Sequence, residues 1–79
     1  MKERKFIKLN EVQEGDKVLI KNIDNMALKN FLAQIGIFEN TEVIISKIAP
    51  LGSPIALQTE DSEVALRNEV AAQIDVQRI

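Results

Sequence analysis

Apolar residues recur along this chain at two periods. Over residues 25–36 the spacing is helical: Leu28, Phe31, Leu32 and Ile35 stand at positions 0, 3, 4 and 7 of one stripe. Asn25 is placed to cap the helix, Gly36 to take the left-handed position that ends it, and Ile37 to fold back onto Leu32. Elsewhere the period is two. In Lys17–Ile23, Val18 and Ile20 share one face, and Lys17, Leu19 and Lys21 the other. Residues 41–48 are rich in β-branched side chains, with Val43 and Ile45 opposite Ile44, Ser46 and Ile48. Residues 55–59 set Ile55 and Leu57 against Ala56 and Gln58; Val64 with Leu66, and Ile74 with Val76, complete the inward rows.

Turn chemistry separates these runs. Residues 9–16 read as a loop cornered at Glu14-Gly15-Asp16, Phe38-Glu39-Asn40 as a turn in which Asn40 tolerates positive φ, and Glu60-Asp61-Ser62 as a hairpin tip. Residues 67–73 suit a single helical or 3-10 turn. The expected fold is mainly β: a small, partly open barrel of about five antiparallel strands with one plugging α-helix, forming a single domain over residues 1–79. The Leu28, Phe31, Leu32 and Ile35 stripe is expected to seal one side of it.

Composition narrows the chemistry more than any motif does. Histidine and cysteine are both absent, so the chain lacks the commonest general base, the thiolate ligands and any disulfide. Ser46, Ser53 and Ser62 have no histidine to activate them, and the three glycines lie too far apart to form a phosphate loop. Glu60, Asp61 and Glu63 are the best grouping for acid–base work or for a divalent cation, but at a hairpin tip they are solvated and too few for a tight oxygen site. These features point away from an enzyme and from a resident cofactor.

The net charge of −2 is unevenly spread: residues 1–40 hold seven basic and six acidic side chains, residues 41–79 three and six. An acidic protein with no tyrosine or tryptophan is a poor ligand for nucleic acid. Lys2, Arg4, Lys5 and Lys8 form a basic opening, read either as a solvated lead-in to the first strand or as a contact for anionic lipid or an acidic partner. No apolar run reaches the roughly 18–20 residues that cross a bilayer, and no signal-peptide core follows the basic start. A soluble, cytoplasmic protein without membrane insertion is expected.

One segment carries shape instead of reactivity. In Ala49-Pro50-Leu51-Gly52-Ser53-Pro54 two prolines stiffen a loop that cannot pair inside a sheet, and Leu51 is an aliphatic residue at its tip. It either folds back onto the barrel or projects as an anchor for a partner. Pro50, Leu51, Gly52, Ser53 and Pro54 are the candidate partner-binding residues.

At this length the order of motifs is itself specific. Gln34-Ile35-Gly36-Ile37, Asn40-Thr41-Glu42-Val43, the 49–54 loop, Ala65-Leu66-Arg67-Asn68-Glu69 and the opening 9–16 segment together resemble the ferrous-iron-transport protein A (FeoA) family. The family's Pro-Gly turn is here Glu39-Asn40, and its later hairpin glycine is replaced within Asp61-Ser62. The resemblance implies an SH3-like barrel acting beside the membrane ferrous-iron transporter, whose cytoplasmic part binds and hydrolyses GTP. The same module also ends metal-dependent repressors, which need an attached winged helix. The expected function is that of an accessory protein that binds and modulates this transporter, with weak self-association compatible with so small a module. A generic SH3-like interaction module and a weak transition-metal-binding protein are the alternatives.

Overall fold

The computed structural model describes residues 6–79, and its frame is one antiparallel sheet. In chain order it has β1 (Ile7–Lys8), a 3-10 turn (Leu9–Glu11), β2 (Lys17–Ile23), α1 (Met26–Gln34), β3 (Glu42–Ile48), β4 (Ile55–Gln58), β5 (Glu63–Leu66), α2 (Asn68–Ala71) and β6 (Ile74–Arg78). The strand order is β1-β6-β2-β3-β4-β5, so the sheet is curved around its core but not closed, with β1 and β5 at its edges. The expected five strands are all present. The sixth, β1, is two residues long, too short to show alternation, and pairs Ile7 with Val76. Lys2, Arg4 and Lys5 lie outside the described residues. Lys8 belongs to β1, where its ammonium meets Asp75 at 2.8 Å.

Alternation predicts the core wherever the ladder is regular. Val18, Ile20, Val43, Ile45, Ile55, Leu57, Ile74 and Val76 are buried side by side. Two bulges break the period. The β2–β6 register shifts between Ile20 and Asn22, which returns Ile23 to the inside; the β3–β4 register shifts between Ile45 and Lys47, and Ile48 is left half-buried. Residues 9–16 are more ordered than a loop. Leu9 is fully buried from the 3-10 turn, Val12 nearly so, and the Gly15 N–H and Asp16 carbonyl bond with Ile45 as a prolongation of the β2–β3 ladder.

Asp16 ties this corner to the last strand. Its carboxylate accepts the Gln13 N–H at 2.9 Å and the Arg78 guanidinium at 3.1 Å. The backbone N–H and then the cation hold its pKa below the ordinary 3.8. A lowered carboxylate pKa stabilises the folded chain above the ordinary value, and that share is lost as pH falls through the folded one. The thermal midpoint of Asp16→Asn is therefore expected below that of the parent at neutral pH. The gap should close as melts are taken below pH 3.8; a gap independent of pH would show that the ionised carboxylate is not what matters.

The helix is capped at both ends as its sequence suggests. Asn25 accepts the Leu28 N–H at 3.0 Å. Gly36, at φ +86°, lets the Gly36 and Ile37 N–H groups return to the Ala33 and Leu32 carbonyls, and Ile37 is buried. The apolar stripe is only partly right. Leu32 is fully buried and Leu28 and Ile35 pack against the core, but Phe31 is 47% exposed. Leu32 and Phe31 lie on opposite flanks of the stripe, about 100° apart on the helix, and the helix rolls its Leu32 flank inward. Phe31→Ala is thus expected to cost about 1 kcal/mol or less, far below a buried phenylalanine; a urea midpoint measures it.

Candidate partner-binding loop

The 49–54 loop connects β3 to β4 and is built by local chemistry. The Gly52 N–H donates to the Ala49 carbonyl at 2.8 Å, closing a β-turn with Pro50 second, Leu51 third and Gly52 fourth. Gly52 has φ +90°, a conformation that strains any side chain although space for a Cβ is open. The Ala49 N–H donates to the Pro54 carbonyl at 3.1 Å, and the Ser53–Pro54 peptide is cis. Leu51 does not fold back. It is 98% exposed, the most exposed large apolar side chain among the described residues.

Contacts distant in sequence hold this loop. Ser53 Oγ accepts the Asn68 N–H at 2.9 Å, giving α2 the side-chain cap that its own Arg67 does not supply. Asn68 Nδ2 donates to the Gly52 carbonyl at 3.4 Å, and Asn68 Oδ1 accepts from Asn10 Nδ2 at 3.2 Å. On the other side Glu14 Oε2 accepts the Ile48 N–H at 2.8 Å. Asn68, Asn10 and Glu14 are the residues that sequence reasoning missed. No local pattern marks them, because each acts through a partner at least 15 positions away. The structure thus brings Pro50, Leu51, Gly52, Ser53 and Pro54 together on one turn that presents an aliphatic side chain to solvent.

The hairpin carboxylates are not gathered in the same way. Thr59 closes the tip by accepting the Ser62 N–H through Oγ1 at 3.0 Å. Glu63 accepts the Ser46 hydroxyl at 3.1 Å, whereas Glu60 and Asp61 line an open groove of about 620 Å³ beside Lys17 and Ile44. Among the described residues no three His, Cys, Asp or Glu side chains are grouped to hold a metal ion. No helix among them is long and apolar enough to cross a membrane.

Comparison with known proteins agrees with this architecture. A fusion protein of Porphyromonas gingivalis, described as Fe(2+) transport protein A joined to the Fe(2+) transporter FeoB, is 27% identical over 74 residues; these are 92% of this chain and 9% of that protein. The chain therefore spans under a tenth of the length of this curated relative. The solution structure of a FeoA-like protein from Clostridium acetobutylicum superposes with a TM-score of 0.82 at 33% identity, covering 98% of this chain and 91% of that one. A manganese-dependent transcriptional repressor shares the fold alone, with a TM-score of 0.81 at 18% identity, covering 94% of this chain and 42% of its own. The family model described as the FeoA domain matches residues 7–78, and the chain belongs to the FeoA family.

Proposed function

We propose that this protein is a non-enzymatic, cytoplasmic accessory protein of ferrous-iron uptake. In this reading it docks Leu51 of the 49–54 loop on the GTP-binding cytoplasmic part of a membrane ferrous-iron transporter and modulates that transporter. The observation that carries the reading is an aliphatic side chain 98% exposed on a loop already held in shape. Because the turn is fixed before binding, little ordering entropy opposes association. The P. gingivalis fusion supports the choice of partner: joining two modules in one chain raises their effective concentration for each other, which is of use when they act together.

Titration calorimetry of the purified protein against the transporter's cytoplasmic domain tests the pairing directly. Saturable binding, together with restored ferrous-iron uptake when the gene is returned to a deletion strain, is the expected result. Absence of binding at micromolar concentrations in both the GTP- and GDP-loaded states would overturn it.

A further inference from the structure

The two edges of the sheet are unlike. β1 is two residues long, and shortness itself protects an edge from pairing. β5 lacks the other usual guards: Glu63–Leu66 contains no lysine or proline, and its ladder with β4 runs without a bulge from Gln58–Glu63 to Ile55–Leu66. Arg67 continues the extended backbone, at φ −67° and ψ 155°, before α2 begins. The Thr59 N–H donates to the Ser62 carbonyl at 2.8 Å, which makes these two a hydrogen-bonded pair of the hairpin. By the alternation of an antiparallel ladder, Val64 and Leu66 then bond to β4, and the N–H and carbonyl groups of Glu63 and Ala65 point out of the sheet. Among the described residues no strand other than β4 pairs with β5, and no backbone group bonds to this outer row.

The side chains along this edge are complementary to themselves. Glu63, Ala65 and Arg67 alternate on the solvent face, all exposed; on the inner face Leu66 is buried, but Val64 stays half-buried against the core. Glu63 accepts the Ser46 hydroxyl, and neither Glu63 nor Arg67 forms an ion pair among the described residues. When a strand pairs antiparallel with its own copy about a two-fold axis, position i meets j and j meets i. With Ala65 on the axis, Glu63 of each copy stands directly opposite Arg67 of the other, and Val64 opposite Leu66. No other register centred on this strand sets Glu63 against a cation, and centring on Glu63 sets it against itself. From this unpaired edge and its charge pattern we infer that β5 pairs with β5 of a second copy of this chain, joining two sheets into one across Ala65. A strand of four residues buries well under the roughly 1,200 Å² of a stable complex, so the pair is weak and forms as concentration rises. The 49–54 loop enters β4 at the end where β5 finishes, so the two loops fall at opposite ends of the joined strands. The inference does not depend on what Leu51 binds.

Sedimentation equilibrium of the purified chain from micromolar to millimolar concentration tests it, with amide NMR spectra over the same series. The average mass is expected to rise towards that of a dimer while the Glu63 and Ala65 amide signals move most. Ala65→Pro removes an outward N–H and no bond to β4, so it should abolish the rise and keep the parent's circular dichroism melt. Glu63→Arg and Arg67→Glu, both at exposed positions, should each weaken the association about tenfold, since each reversal sets like charges opposite one another twice. An equimolar mixture of these two variants faces opposite charges across the joint again and should restore it; this arm decides the matter even where Ala65→Pro lowers the melt. A mass independent of concentration, association indifferent to Ala65→Pro, or a mixture no tighter than either charge variant alone would overturn the inference. So would a parent that stays monomeric while Ala65→Pro loses binding to the transporter's cytoplasmic domain, an outcome that gives this edge to a strand of the transporter.

Discussion

Leu32→Ala is expected to lower the unfolding free energy by about 3 kcal/mol, within the 2–5 kcal/mol typical of a buried leucine cut to alanine. Leu32 is fully buried, and it is the one residue of α1 that lies wholly inside the core. Its carbonyl also accepts the Ile37 N–H at 2.8 Å, an interaction that brings the buried Ile37 back under the helix. The substitution keeps that backbone bond and removes only the side chain, so the loss reports the cavity and not the cap. Against a total stability of roughly 5–15 kcal/mol for an ordinary domain, such a loss is large. Urea unfolding at neutral pH should show a clear drop in midpoint for Leu32→Ala beside a near-parental one for Phe31→Ala. The reverse order would mean that α1 presents its other flank to the sheet in solution.

The contrast between those two residues shows what the pattern of apolar positions can and cannot say. Spacing identifies a stripe, and a stripe is about as wide as the face it names; which of its edges turns inward depends on where β2 and the loop before β3 leave room. The strands follow the same logic. Val18 and Ile20 were legible from alternation, but Ile23 is inside only because an extra residue at the β2–β6 bulge resets the period. The positions of Asn40 and Gly36 were legible because positive φ is a local requirement that few residues meet. At the loop, the turn formed by Ala49, Pro50, Leu51 and Gly52 is likewise local. Its attachment to α2 through Ser53 and Asn68 is not, since β4 and β5 lie between the two in the sequence.

That division matters for the second large effect, the loss of transporter binding expected of Leu51→Asp. In the free protein the change should be nearly silent, within about 0.5 kcal/mol, because Leu51 is 98% exposed and touches no core. Pro50 and Gly52 still set the turn, and an aspartate is well tolerated at its third position. In the proposed complex the same change would place an ionised carboxylate in the apolar pocket expected to close over the leucine. An anchor of this kind is worth about 2 kcal/mol or more, and an unpaired buried charge adds to the loss, so affinity should fall by at least about thirtyfold. Calorimetric titration and a thermal melt on the same sample separate the outcomes. A melt that drops by several degrees would show that Leu51 packs within the free domain, and unchanged affinity would move the contact off this loop. Ser53→Ala sharpens the comparison: it leaves Leu51 in place but removes the hydroxyl that receives the Asn68 N–H. If the loop binds because it is held in shape, Ser53→Ala should weaken binding by less than Leu51→Asp while lowering the melt by more.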